Sequence, residues 1–125
     1  MMNKYYAKVL KLDPDIEEEV TLDVNGIEIT CFASVCPFKI SVGKEYPVAF
    51  EFDDFDISEQ STEETSLARL GSDYSYELKG KLDGDTVDVG IRIRDEFLSS
   101  EYGYLDGKFV SLKVGRLDVE FLEEE

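Results

Sequence analysis

Seven carboxylates fall within the fourteen residues EFDDFDISEQSTEE, from Glu51 to Glu64, with no base among them. Such a run could coordinate a cation, perform acid–base chemistry, present a docking face, or simply stay solvated. An EF-hand loop needs acids at its first, third and fifth positions, Gly at the sixth and Glu at the twelfth. Counting from Asp54 gives Asp54, Asp56 and Ser58, then Glu59 in place of Gly and Thr65 in place of Glu. The two most demanding positions fail, which leaves only loose, weak binding of a divalent cation. Paired-carboxylate catalysis needs two acids in a pocket that drives their pKa values apart. These acids are neighbours at a strand end and in a loop. A solvated acidic loop that blunts the strand end is the plain reading, and a docking face for a cationic partner is the functional one.

Other catalytic parts are missing from the chain. It has no His, so a Ser–His or Cys–His nucleophile pair is excluded. Neither a Walker-type nor a dinucleotide-binding glycine pattern occurs, and GDTVDVG opens no helix. Cys31 and Cys36 in CFASVC are too few for zinc without His and are not spaced as C-x-x-C. Both are expected to be buried, reduced and metal-free. No cofactor is expected, and the protein reads as a non-enzyme.

The net charge of −16 is unevenly distributed. Residues 13–30 and 51–64 each carry −7, and residues 118–125 carry −5, all without a base. Outside these three segments the chain is close to neutral. This balance argues against nucleic acid, whose phosphates are held by Lys and Arg. The outward-facing Lys79, Lys81, Arg92 and Arg94 are expected to pair with Asp88 or Glu77 across strands. With 125 residues, 42% of them hydrophobic, the chain is expected to form one domain over 1–125. No export signal or apolar run of membrane-spanning length is present, which points to the cytoplasm.

The elements that must position these residues show period two. Val20, Leu22 and Val24 face one way, as do Ile27, Ile29 and Cys31, and Asn25-Gly26 between them suits a type I′ hairpin. Tyr74, Tyr76, Leu78 and Leu82 form a second such set, followed by Val87, Val89, Ile91 and Ile93, with Asp83-Gly84 as the turn. Gly80 and Gly90 fall inside these strands, where glycine marks bulges or sharp bends. The phase of alternation slips twice, at Asp53-Asp54 and at Gly115-Arg116, as at a β-bulge. Ser61 and Glu64 make a capping box, Leu67 and Leu70 are three apart, and Gly71 suits a helix stop. A short helix is therefore predicted near residues 62–70.

These signals predict a mainly β fold: a single antiparallel β-barrel or rolled sheet of about seven strands with one short helix. The element order resembles that of an OB-fold, a likeness of architecture that no motif carries. The irregular segment FLSSEYGYLDG, residues 97–107, adds Tyr102 and Tyr104 as interface anchors. The preferred function is a small acidic protein-binding module of the inhibitor or immunity type. It would engage a basic protein partner through Asp53, Asp54, Asp56, Glu59, Tyr102 and Tyr104. The alternatives are an OB-like barrel binding nucleic acid, and a weak binder of divalent cations or a metabolite.

Overall fold

The structure, a computed structural model, describes residues 3–71 and 73–123. It is mainly β, and the described residues, with nine strands and one short α-helix, divide into two compact units.

The first unit comprises residues 1–50 and 118–125. It contains β1 (Tyr5–Leu12), β2 (Glu19–Val24), β3 (Ile27–Val35), the start of β4 (Glu45–Glu59) and the end of β9 (Phe109–Phe121). The predicted hairpin is present. Val24 pairs with Ile27, and Asn25 and Gly26 take φ of 54° and 84°, the left-handed pair that a type I′ turn requires. β1 pairs with β2 on one side and β4 on the other, and β3 runs parallel to the end of β9. The Leu122 amide donates to the Pro47 carbonyl at 2.9 Å, so the pairings form a closed circuit. Ala7, Val9, Leu22, Ile29, Cys31 and Phe121 are buried at its centre.

The second unit comprises residues 51–117. It takes the rest of β4 and β9 and adds β5 (Ser66–Arg69), β6 (Tyr76–Asp83), β7 (Thr86–Asp88), β8 (Arg92–Arg94) and α1 (Glu96–Glu101). β6 pairs along one side with β9, and β8 joins β4 in parallel at Glu51 and Arg94. On its other side β6 passes from β5 to β7 at Gly80. A Cβ there would collide with the Asp88 carbonyl, so only glycine lets the backbones approach this closely. Leu78, Leu82, Val87, Ile93, Leu98 and Leu112 are fully buried here.

Several expectations are corrected. Residues 62–70 are not helical: Ser66–Arg69 is a strand in antiparallel register with Tyr76–Lys79. Leu67 and Leu70 alone supply too little apolar surface to hold a two-turn helix, which is marginal in water, whereas the β6 edge satisfies the backbone at once. The helix lies instead at residues 96–101, with Asp95 as its N-cap. Val87 to Ile93 is two strands and not one, because Gly90, with φ of 104°, reverses the chain between β7 and β8. The second hairpin turns on Gly84-Asp85, since Asp83 pairs with Thr86. Two pairings are parallel where a wholly antiparallel arrangement is predicted. Cys31 is buried but Cys36 is exposed, its thiol donating to the Phe38 carbonyl at 3.2 Å. Both phase slips are present: Val110, Leu112 and Val114 are buried, then Leu117, Val119 and Phe121. Asp54 takes φ of 56° at the slip in β4.

Candidate functional site

The slip in β4 sets the geometry of an acidic groove in the second unit. Asp54 tolerates the left-handed backbone better than most residues. On β9, Gly115 lies against it: an ideal Cβ at Gly115 would stand 3.3 Å from the Asp54 carbonyl oxygen and carboxylate. The missing side chain of Gly115 thus makes room for Asp54. The same slip turns Asp53 outward beside the half-buried Phe55.

The opposite wall comes from the segment after β8. Asp95 Oδ1 accepts the Phe97 amide at 2.8 Å and caps α1. The six-residue helix buries Leu98 completely and leaves Phe97 49% exposed. Glu101 ends it, and the Tyr102 amide donates to the Leu98 carbonyl at 3.2 Å. A 3-10 turn, Gly103–Leu105, follows and buries Leu105.

The two walls enclose a groove of about 610 Å³ lined by Asp53, Asp54, Phe55, Asp95, Phe97, Glu101 and Tyr102. Every lining residue is a carboxylate or an aromatic ring. Ring contacts run on from it: Phe52 to Phe55 at 5.1 Å, Phe55 to Tyr102 at 5.8 Å, and Tyr102 to Tyr104 at 6.3 Å. Phe52 is buried and Tyr104 is 72% exposed, so the run leads from core to surface.

No lining carboxylate forms an ion pair with a described residue, although bases are close by. Arg94 pairs with Asp85 at 2.8 Å, and Arg92 with Asp83 at 2.7 Å rather than with Asp88. Lys79 pairs with Glu64 at 3.4 Å and with Glu77 at 3.9 Å, the latter along β6 itself and not across strands as predicted. The groove therefore keeps its negative field. Burial raises the Asp95 carboxyl above its ordinary pKa, and the charges of Glu96 and Asp53 add to that. The Phe97 amide and Arg94 oppose it.

The structure brings together Asp53, Asp54 and Tyr102 of the predicted set, with Tyr104 attached through its ring contact. It does not bring in Asp56 or Glu59. Asp56 is exposed outside the lining, and Glu59 pairs with Lys108 at 3.5 Å beside a separate depression. Sequence reasoning missed Phe55, Asp95, Phe97 and Glu101 as lining residues. The signal for the wall was Asp95-Glu96, a cap followed by a first-turn acid.

Among the described residues no three His, Cys, Asp or Glu side chains converge to hold a metal ion. Carboxylates between ring faces instead suit an organic cation, which gains charge attraction from the first and cation–π contact from the second. Among the described residues no helix is long and apolar enough to cross a membrane.

Residues 2–122 match the model of a family described as "Uncharacterised conserved protein UCP019853", a match that takes in nearly the whole chain. No curated protein matches the chain.

Proposed function

The chain belongs to this family, and from that premise we propose that it is a small non-enzymatic module that binds a basic protein partner through the acidic–aromatic groove of its second unit. An inhibitor or immunity-type role, in which carboxylates occupy a cationic site on the partner, is the form of binding this surface suits best. The observation that carries the reading is the lining itself. Two segments about forty residues apart in sequence meet to give four carboxylates, three rings and no base. Tyr and Phe rings supply contact area at low entropic cost, and clustered charge raises association rates by roughly 10- to 1,000-fold. A binding role rather than catalysis is supported by the lack of His in the chain, which removes the Ser–His and Cys–His nucleophile pairs.

The test is capture of the partner from native cytosol on immobilised protein, washed at rising salt. A basic protein should be retained by wild type and released as salt screens the groove. Retention should fall for the double variant Asp53→Asn, Asp54→Asn, because exposed charges act mainly on the on-rate. Asn also tolerates the φ of Asp54, so the fold is undisturbed. Retention indifferent both to salt and to the double variant would overturn the proposal. So would tight binding of RNA in place of a protein.

A further inference from the structure

The other acidic segment, residues 13–30, borders a second depression, which lies wholly in the first unit and has a different character. It encloses about 700 Å³ between the β1–β2 turn and the loop that follows β3. Its apolar floor is formed by Leu12, Val20, Ala33, Phe38 and Ile40. Phe38 packs against the Tyr46 ring at 5.6 Å and the Phe121 ring at 6.4 Å. Ile16, next in sequence to the lining residues Asp15 and Glu17, is 44% exposed, and Val35, next to the lining residue Cys36, is 45% exposed.

The rim gives the sign of the occupant. Asp13, Asp15, Glu17 and Glu18 line it, opposed by Lys39. None of the four carboxylates forms an ion pair with a described residue. Asp13 is committed to the turn, since its Oδ1 accepts the Asp15 and Ile16 amides at 2.8 and 2.9 Å. The other three are open to a ligand.

We infer that this groove docks a short amphipathic segment of a protein, one whose apolar side chains fill the floor while flanking Lys or Arg side chains meet the rim. An apolar floor binds by burial, and the carboxylate rim selects a basic flank over an acidic one. The site shares no lining residue with the acidic–aromatic groove.

Cys36 provides the test, because it lines this groove and is exposed while Cys31 is fully buried. The probe is a synthetic amphipathic Leu/Lys peptide, with a Leu/Glu peptide of the same pattern as control. The rate at which native protein reacts with a thiol reagent is followed as peptide is added. The Leu/Lys peptide should slow the reaction several-fold at saturation, and the Leu/Glu peptide should not. The double variant Glu17→Gln, Glu18→Gln should weaken that protection roughly three- to tenfold. Asp53→Asn with Asp54→Asn should leave it unchanged. Equal protection by both peptides, or none by either, overturns the inference. So does loss of protection in the Asp53, Asp54 variant, which would place the peptide at the other groove. Those results leave the capture experiment untouched, so the two readings fail separately.

Discussion

The two acidic runs of the chain hold the same number of carboxylates and use them differently. In residues 13–30 two of the acids, Asp13 and Asp23, make turns. Asp13 accepts the amides of Asp15 and Ile16, and Asp23 accepts the Gly26 amide at 2.9 Å beside the hairpin. Each bond spans two or three residues, so the geometry is local. In the groove of the second unit, Asp53 and Asp54 accept no such bond. Asp54 is placed by the slip in β4 and by the absence of a side chain at Gly115, and both face a wall some forty residues further on. Two aspartates that each accept a nearby backbone amide nonetheless have opposite pKa shifts. The Asp15 and Ile16 amides hold Asp13 below its ordinary value, whereas burial holds Asp95 above it. Asp13 thus favours the fold in its charged form, and Asp95 in its protonated one.

The sharpest way to break this comparison is through a position that depends on distant backbone. Gly80→Ala should destabilise the protein by about 3 kcal/mol or more, because its Cβ meets the Asp88 carbonyl and neither strand can yield freely. Urea unfolding measures it, and a change within about 0.5 kcal/mol would mean that the close approach does not constrain the sheet.

A smaller effect is expected at the groove wall. Asp95→Ala removes the cap from the Phe97 amide and should cost about 1 kcal/mol. Asp95→Asn keeps a cap and should restore most of it. Thermal unfolding of the two variants side by side separates capping from charge, and an Asn variant as unstable as the Ala one would refute the capping role.

The pH dependence distinguishes the two kinds of acid by sign. Asp13 has a depressed folded pKa, so its contribution is present above the unfolded value near 3.8 and is lost as pH falls through the folded pKa. Asp95 has a raised folded pKa, so the native state holds the proton longer, and stability falls as pH rises from about 3.8 through the folded value. Asp13→Asn should therefore flatten the loss of stability in acid. Asp95→Asn should remove a decline on going toward neutral pH. Urea titrations at closely spaced pH values report both, and slopes of equal sign for the two variants would contradict the assignment.

The smallest stability effect is expected from Asp53→Asn with Asp54→Asn, within about 0.5 kcal/mol of wild type at neutral pH. Any change should be stabilising, since it relieves repulsion with Asp95. Marked destabilisation would show that these carboxylates do structural work, like those of the turn.

Features that depend on a few neighbouring residues were legible in the sequence. Asn25-Gly26 carries its own turn geometry, and the alternation of Val20, Leu22 and Val24 needs only one apolar side to be read. The slips at Asp53-Asp54 and Gly115-Arg116 were visible because a single inserted residue reverses every side chain beyond it. The acidic stretch and the tyrosines of the 97–107 segment were visible as separate features, but nothing local says that they meet.

What only the tertiary structure decided are the choices where local signals tie. Residues 62–70 carry a capping box and an i, i+3 pair, yet a segment this short takes the conformation its neighbours satisfy, and the open edge of β6 made Ser66–Arg69 a strand. Val87, Val89, Ile91 and Ile93 are buried whether the chain runs straight or folds back at Gly90. Reflection about residue 90 maps odd positions onto odd ones, so period two cannot tell a strand from a hairpin there. The parallel pairings of β3 with β9 and of β4 with β8 join residues far apart in sequence. The groove has the same origin: the sequence supplied its carboxylates and rings, and long-range packing of β4, β9 and α1 placed them on facing walls, because no local rule acts across forty residues.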